Sequence, residues 1–280
     1  MKPASFDIQA QVAAALAEDV GPGDASARLI NAETRASATL ITRQAGILAG
    51  RSWAESAFIQ LDPSCQLEWQ ADDGDKLAPN QLLAVIFGPA RALLSAERTA
   101  LNFLQLLSGV ASRTRVYVDA VAGTSCRILD TRKTIPGLRL AQKYAVTVGG
   151  GHNHRLGLHD MIMIKENHIL AAGGIGPAVA EARRLFPDLL VEVETETLDE
   201  LDQAVAAGAD RIMLDNFDLG TLEKAVASAK GKAVLEASGG ITLAGIRAIA
   251  ETGVDEISVG ELTKQVTPLD LSMRLHKGTA

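Results

Sequence analysis

The stretch VGGGHNHRLGLHD, residues 148–160, places three histidines and an arginine just after a run of three glycines. Histidines at this density suggest either a metal centre or a cationic pocket for an anion. A metal centre needs three or four ligands, and neither cysteine nor an HExxH pattern accompanies these histidines. Arg155, beside His154, would also repel a divalent metal. The pattern favours an anion site, and a polar loop without chemistry is the alternative.

The distribution of charge also points to an anion. The chain has 27 Lys and Arg against 34 Asp and Glu, a net charge of −7, which argues against a general nucleic-acid binder. Between Arg127 and His168, however, basic residues outnumber acidic ones, and four of the five histidines lie there. One basic segment in an acidic protein is typical of a small anionic ligand, and a solvated basic face is the alternative.

Six short apolar runs in the second half each end in a polar residue or glycine. They are CRILD, MIMIK, LLVEVE, RIMLD, AVLEAS and EISVG, at residues 126–130, 161–165, 189–194, 211–215, 233–238 and 256–260. Helix-length segments separate them, and Gly208 and Gly253 stand where helices end. The pattern predicts parallel strands with apolar interiors, in a doubly wound sheet or a barrel. The even spacing of the last four runs favours the barrel.

In both folds ligands bind at the carboxyl ends of the strands. We therefore expect the final residues of the six runs to face the site: Asp130, Lys165, Glu194, Asp215, Ser238 and Gly260. Glu194 and Asp215 end neighbouring runs, so their carboxylates could converge to hold Mg²⁺ or to stabilise positive charge on a reacting carbon. Glu192, Glu194 and Glu196 share one side of an extended strand, and we expect at least one of them in a structural ion pair.

Two further groups of residues extend this site. SGG at 238–240 and SVGE at 258–261 follow the last two strands, where barrels often bind a phosphate. Cations come from DTRKTIPG at 130–137, from the opening stretch and from Lys165. Together they predict a pocket for a dicarboxylate or a diphosphate. We expect the glycine run to let the chain pass closely over this pocket, and His152 and His159 to be exposed or structurally bonded.

The first half of the chain has a different pattern. Residues 32–88 alternate and turn as in a small antiparallel sheet, and a long helix is predicted over 90–121. The first twenty residues resemble an amphipathic helix rather than a secretory signal, and no apolar run is long enough to span a bilayer. Cys65 and Cys126 have no motif spacing, so we expect two buried thiols in a reducing cytoplasm.

Seven segments, in this order, resemble the quinolinate phosphoribosyltransferase family. They are ERTALNFLQLLSGVAS, DTRKTIPGLR, KYAVTVGGGHNHRLGLHDMIMIKENHI, VEVETETLDEL, IMLDNF, LEASGGI and TGVDEISVGELT. The resemblance covers nearly the whole chain. It implies an α/β protein with an incomplete α/β barrel over residues 109–280 and an N-terminal α+β open-sheet capping domain over residues 1–108.

The resemblance also implies an activity. Quinolinate would react with phosphoribosyl pyrophosphate to give nicotinate mononucleotide, pyrophosphate and CO₂, a step of NAD biosynthesis that requires Mg²⁺. The active unit would be a cytoplasmic homodimer, or a higher oligomer, whose N-terminal domain caps the partner's barrel. No nucleic acid or membrane would be a partner.

Site residues carry over from the family as expectations. Quinolinate would contact Thr131, Arg132, His154, Arg155 and Lys165, with Arg98 reaching in from the other subunit. Lys133 would face the phosphoribosyl substrate, while Glu194 and Asp215 would meet its ribose and Mg²⁺. The 5′-phosphate would lie on Ser238, Gly239, Gly240 and Gly260.

Two alternatives stay open at this point. A related pyrophosphorylase associated with molybdate transport shares the fold and several motifs, although the complete NHR and KENH segments favour the quinolinate enzyme. A non-catalytic sensor of phosphoribosyl ligands on the same fold is the other. It predicts a lost acid or a lost carboxylate clamp, and the sequence shows neither.

Overall fold

The computed structural model describes residues 8–277, which form two compact units. The first comprises the described residues of 1–115, 140–150 and 265–280, and the second comprises residues 116–139 and 151–264. The predicted domains, 1–108 and 109–280, begin and end outside the described residues, and their boundary stays a prediction.

The described residues contain the following strands and helices. The strands are β1 (Arg35–Thr42), β2 (Gly46–Ile47), β3 (Gln66–Trp69), β4 (Lys76–Leu77), β5 (Leu82–Pro89), β6 (Arg127–Leu129), β7 (Ile162–Ile164), β8 (Val191–Thr195), β9 (Arg211–Asp215), β10 (Val234–Ser238), β11 (Glu256–Ser258) and β12 (Leu271–Lys277). The helices are α1 (Ile8–Val20), α2 (Arg51–Leu61), α3 (Ala90–Ala120), α4 (Arg139–Val148), α5 (Glu166–Ala172), α6 (Ile175–Leu185), α7 (Leu198–Ala206), α8 (Leu219–Ala229), α9 (Ile246–Glu251) and α10 (Glu261–Lys264).

The first unit is built on an antiparallel sheet in the order β12-β1-β5-β3. Alternation along β1 buries Ala36, Ala38 and Leu40 on one face. The sheet expected between residues 32 and 88 and the long helix α3 are confirmed. Pairing of the C-terminal strand β12 with β1 was not predicted. The N-terminal helix is confirmed from Ile8 onward, and its first seven predicted residues lie outside the described range.

The second unit is a parallel sheet in the order β6-β11-β10-β9-β8-β7. Strands β7 to β11 are neighbours in chain order and β6 follows β11, as in a barrel, whereas a doubly wound sheet reverses its order at a switch point. No ladder joins β6 to β7 in the described chain, so the barrel is incomplete. The predicted α/β class, with an incomplete barrel and an open-sheet unit, is confirmed. Within residues 8–277 no helix is long and apolar enough to cross a membrane.

The strand interiors depart from the sequence prediction. One face of each strand is apolar, as expected for side chains such as Val193, Ile212 and Leu235. The alternate residues on the other face include the buried charges Glu192 and Glu236. Burial on both faces therefore does not make both faces apolar, because inward charges of opposite sign can pair with one another.

Candidate functional site

A cavity of about 460 Å³ lies at the carboxyl ends of the parallel strands in the second unit, within the usual size range for small-ligand sites. Its lining residues are Thr131, Arg132, Lys133, His154, Arg155, Met163, Lys165, Glu194, Met213, Asp215, Glu236, Ser238 and Ser258. All but five of the predicted site residues are among them. The exceptions are Arg98, Asp130, Gly239, Gly240 and Gly260.

Two arginines form the cationic wall of the cavity. The Nε atoms of Arg132 and Arg155 are buried, and neither has a hydrogen-bond partner among the described residues. Among the described residues the Arg155 guanidinium donates only long contacts, 3.4 Å to the Met161 carbonyl oxygen and 3.6 Å to the Met163 sulfur. Burial, and then the charge of Arg132, lower the pKa of Arg155. Two guanidinium groups left short of acceptors are suited to a ligand with two carboxylates.

The loop that carries Arg155 is held by an aspartate at each end. Asp130 is fully buried and accepts the His154 N–H at 2.9 Å and the Asn153 amide at 2.5 Å. Asp160 accepts the N–H groups of Leu156 and Gly157 at 2.6 and 2.9 Å. The prediction that Asp130 faces the site is therefore wrong. Its carboxylate fixes the loop that presents the clamp.

His154 stands above two buried carboxylates. Its Nε2 lies 2.9 Å from Glu192 and 3.4 Å from Glu236. Burial lowers the pKa of His154, but these carboxylates outweigh burial and raise it to about 9. The Arg155 N–H lies 2.7 Å from Nδ1 of the same ring and needs that nitrogen unprotonated. We take the imidazolium as the dominant form, because two buried charges outweigh one neutral hydrogen bond of about 1 kcal/mol.

The balance of charges in the barrel interior is consistent with a protonated His154. Arg211 lies 2.9 Å from Glu236 and also pairs with Glu256, which Arg127 contacts at 2.5 Å. Glu236 and Glu256 thus meet two guanidinium groups, and His154 pairs with Glu192. Burial raises the pKa of Glu192, and its hydrogen bond with His154 opposes that rise. Ionised groups buried this deeply need paired partners.

The same geometry bears on the metal alternative. His154, Glu192 and Glu236 could offer three ligand atoms within 4.8 Å of one another. Arg211 lies against both carboxylates, with its Nε 3.7 Å from Glu192. A guanidinium therefore already supplies the positive charge that a divalent metal would bring, and the cluster is an ionic floor beneath the cavity.

The acidic wall comes from the ends of β8 and β9, which are adjacent in the sheet. Glu194 is ion-paired with Lys165, the cation predicted for quinolinate. Asp215 accepts a hydrogen bond from the Asn216 amide at 2.7 Å. Glu194 is level with Met213, two residues before Asp215 on the neighbouring strand, and both acids line the same cavity. Lys165 joins this acidic wall to the cationic one.

The three glutamates of VEVETE have three different environments. Glu192 is the buried ion-pair residue that the alternation predicted for at least one of them. Glu194 lines the cavity, whereas Glu196 lies beyond the end of β8 and is exposed. The structure thus distinguishes the roles of these three glutamates, which alternation alone placed together on one side of the strand.

The predicted phosphate residues lie at the ends of the last two strands. Ser238 lines the cavity, and Gly239 and Gly240 follow it with φ of 93° and 57°. A Cβ on Gly260 would come within 3.0 Å of the Lys133 side chain, so that lysine lies directly over the loop after β11. The Lys133 carbonyl oxygen also accepts the Thr263 hydroxyl at 2.9 Å.

The remaining sequence candidates lie elsewhere. His152 and His159 are exposed, as expected, and the backbone of His152 bridges Leu129 beside β6. Gly149 belongs to the first unit, where a Cβ would lie 2.5 Å from the Ala111 carbonyl oxygen on α3. Its predicted place over the pocket is therefore wrong, since close packing against a helix requires it. Arg98 is exposed on α3, also in the first unit, and its role stays a prediction.

Four lining residues were missed by the sequence analysis. Each lies two positions before the end of an apolar run and so shares the inward face with that end. They are Met163, Met213, Glu236 and Ser258. The alternation that placed Glu192, Glu194 and Glu196 on one side of the strand would have found them if it had been applied to every run.

Comparison with known proteins gives two domain matches along the chain. The family described as quinolinate phosphoribosyl transferase, N-terminal domain, matches residues 24–108, and its C-terminal domain matches residues 110–274. A Bacillus subtilis (strain 168) protein named probable nicotinate-nucleotide pyrophosphorylase [carboxylating] is 45% identical over 257 residues, which cover 91% of this chain and 89% of that protein. A chloroplastic nicotinate-nucleotide pyrophosphorylase [carboxylating] from Oryza sativa subsp. japonica is 42% identical, covering 97% and 78%.

Solved structures of similar proteins have the same fold. The nicotinate-nucleotide pyrophosphorylase from Francisella tularensis is 48% identical with a TM-score of 0.94, covering 96% of each chain. NadC from Streptococcus pyogenes is 41% identical with a TM-score of 0.95, covering 100% of this chain and 99% of that one. The chain belongs to the quinolinate phosphoribosyltransferase family.

Proposed function

We propose that this protein transfers the phosphoribosyl group of phosphoribosyl pyrophosphate to quinolinate with loss of CO₂, giving nicotinate mononucleotide and pyrophosphate for NAD biosynthesis. The names of the relatives above support this activity. The observation that carries it is the pair of buried guanidinium nitrogens without acceptors, which face an acidic wall across one cavity.

The cationic wall is the proposed clamp for quinolinate. Arg132 and Arg155 each offer a planar fork of donors to a carboxylate, and Lys165 adds a point charge. The His154 imidazolium lies below them on its ionic floor. A ring gripped at both carboxylates has a fixed orientation, so its nitrogen can be held in line with the ribose C1.

The acidic wall is proposed to serve the phosphoribosyl substrate. Glu194 and Asp215 are half-buried carboxylates on adjacent strands, and such oxygen donors suit Mg²⁺, which usually binds through one or two carboxylates together with substrate phosphates. When bound there, Mg²⁺ would neutralise charge on the pyrophosphate leaving group. The carboxylates themselves stabilise the positive charge that develops at C1.

The proposed reaction needs little proton transfer. The lone pair of the pyridine nitrogen forms the bond to C1, while the C1–O electron pair leaves with pyrophosphate. The ring nitrogen is then cationic, so the electron pair of the C2–carboxylate bond can remain at C2, stabilised by the adjacent positive charge, as CO₂ departs. A proton from solvent completes C2. A site of fixed charges fits this chemistry.

Product analysis tests the proposal directly. Incubation with quinolinate labelled in its 2-carboxylate, phosphoribosyl pyrophosphate and Mg²⁺ should release labelled CO₂ and form nicotinate mononucleotide in equal amounts. Omission of phosphoribosyl pyrophosphate is the control and should release no label. Failure to form product from quinolinate, with turnover of nicotinate itself, would refute the proposal. The molybdate-associated alternative gains no support, because both domain matches carry the quinolinate name.

We also propose that the active unit is a homodimer in which Arg98 completes the partner's site, as the family resemblance implies. A mixing experiment tests this sharing. Arg98→Ala and Asp215→Asn should each be nearly inactive alone. After subunit exchange, mixed dimers would contain one site with neither substitution, so about a quarter of wild-type activity should return if subunits reassort at random. No recovery in verified mixed dimers would refute a shared site.

A reducing cytoplasm is the compartment that we propose. Cys65 and Cys126 are free and buried. Burial, reinforced by nearby carboxylates, raises the pKa of Cys65 to about 11 and that of Cys126 to about 12. Both thiols are therefore unreactive packing groups, as the sequence predicted, and neither needs an oxidising compartment.

A further inference from the structure

Asn216 connects the acidic wall to the glycine loop after β10. We propose that Asn216 is a positioning residue for phosphoribosyl transfer, which sets the Asp215 carboxylate and the Ser238–Gly239 turn in one fixed arrangement. The inference rests on the proposed function, because it assigns these two features to the phosphoribosyl substrate.

The backbone of Asn216 has an unusual conformation. Its φ is 58°, and among the described non-glycine residues only Asn80, with φ of 64°, is also positive. Asparagine is enriched at such positions, but a left-handed residue directly after a strand redirects the chain sharply. In this conformation the Asn216 N–H donates to the Ser238 carbonyl oxygen at 2.9 Å. The end of β9 is thereby joined to the end of β10 beyond their ladder.

The side chain of Asn216 makes two further contacts from this position. Its amide nitrogen donates to the Asp215 Oδ2 at 2.7 Å, so a neutral donor holds the carboxylate in place. Its amide oxygen lies against Gly239. A Cβ on Gly239 would overlap that oxygen and would lie 2.8 Å from the Asn216 backbone nitrogen. Gly239, with φ of 93°, is therefore required by Asn216 as well as by its own backbone.

These contacts give one residue control over both parts of the phosphoribosyl subsite. The amide restricts the rotation of a carboxylate that must face C1, and the backbone N–H fixes the turn whose residues would hold the phosphate. The quinolinate clamp lies on other segments, namely the loop after β6, the loop between α4 and β7, and the end of β7. None of its residues contacts Asn216 in any described interaction. A defect at Asn216 should therefore affect one substrate and spare the other.

Two substitutions separate the side chain from the backbone. Asn216→Gly keeps access to the left-handed conformation but removes the amide. Asn216→Asp keeps the shape and tolerates positive φ, yet it replaces the donor with a negative acceptor beside Asp215. Asn80→Gly is the matched control, since it makes the same change at the same kind of backbone position in the first unit.

The measurements are steady-state kinetics with each substrate varied, together with binding of phthalate, a dicarboxylate that has no ring nitrogen to react. For Asn216→Gly we expect kcat/KM for phosphoribosyl pyrophosphate to fall about tenfold to a hundredfold, the effect of losing a hydrogen bond to a charged group. Asn216→Asp should lose at least as much. The Kd of phthalate should change less than twofold, and Asn80→Gly should match the wild type.

The outcomes are distinct. An inactive wild-type protein would refute the proposed function rather than this inference. If the wild type is active and Asn216→Gly or Asn216→Asp retains its kcat/KM, the inference is wrong. Parallel losses for both substrates, with an equal rise in the Kd of phthalate, would also overturn it, since that pattern indicates general loss of structure. Thermal unfolding of each variant shows whether it is folded at the assay temperature.

Discussion

Arg155 offers the sharpest test of the carboxylate clamp. Its Nε is buried without an acceptor, and burial and Arg132 lower its pKa, so the ligand-free guanidinium is held in an unfavourable environment. A bound carboxylate would give the Arg155 Nε an acceptor and would also offset the effect of burial and of the Arg132 charge on the guanidinium. Arg155→Ala should therefore weaken binding of a dicarboxylate strongly while leaving the folded protein nearly as stable as before.

The magnitude follows from the contacts that would be lost. Truncating one partner of a desolvated, hydrogen-bonded charge pair costs about 2–5 kcal/mol, a weakening of about thirtyfold to several thousandfold. Stability should respond differently, because Arg155 donates only the long contacts to Met161 and Met163 and lies near another cation. We expect the free energy of unfolding to change by no more than about 1 kcal/mol.

Calorimetric titration with phthalate measures the first quantity and urea unfolding the second. Arg184→Ala is the matched control, because Arg184 is an exposed arginine on α6 paired only with Glu181 in the described contacts. Arg155→Lys should recover part of the affinity, since lysine restores charge without the planar fork. A change below threefold in the Kd of phthalate, or an equal loss of phosphoribosyl pyrophosphate binding, would refute the clamp.

Three further predictions concern other parts of the site. Asp215→Asn should lower kcat by at least about a hundredfold in product assays. Chelation of Mg²⁺ should stop wild-type turnover in the same assays, whereas titration with phthalate should show unchanged binding. Met163→Ala should raise the KM for quinolinate about tenfold with little change in kcat, because the thioether is apolar surface against which a ring can pack; an unchanged KM would contradict this. Burial opposes ionisation of Asp160, but the N–H groups of Leu156 and Gly157 outweigh it and hold its pKa below the ordinary value. The ionised form therefore stabilises the fold above about pH 4 and loses that effect as pH falls through the lowered pKa, so the urea midpoint should fall less on acidification in Asp160→Asn than in the wild type.

The sequence predicted the strand ends better than the strand interiors. Lys165, Glu194, Asp215 and Ser238 all line the cavity, because parallel strands bring their carboxyl ends to one edge. Asp130 also ends a strand, but its carboxylate accepts the His154 N–H and the Asn153 amide of the loop that carries Arg155 and does not line the cavity. Such local hydrogen bonding depends on where the loop lies, and strand periodicity does not contain that information.

The long-range pairings were beyond the sequence analysis for a similar reason. β12 completes the first sheet although it begins 229 residues after the end of its partner β1, and a strand pattern does not specify its partner. The ionic floor was also missed. In the sequence Glu236 and Glu256 are single acids within apolar runs. Only the strand register shows that they lie next to each other and that both pair with Arg211.

The floor and the site depend on one register. Along β8, β9 and β10 the inward residues occur in pairs two positions apart, the first in the ionic floor and the second lining the cavity: Glu192 and Glu194, Arg211 and Met213, Glu236 and Ser238. Glu236 belongs to the floor and also lines the cavity. A slip of one residue would turn buried charges toward the helices and apolar side chains toward the cavity. Because an unpaired buried charge costs several kcal/mol, the ion pairs of the floor penalise every such slip. The charges beneath the site thus contribute to specifying the strand alignment that brings Glu194 and Asp215 to one cavity.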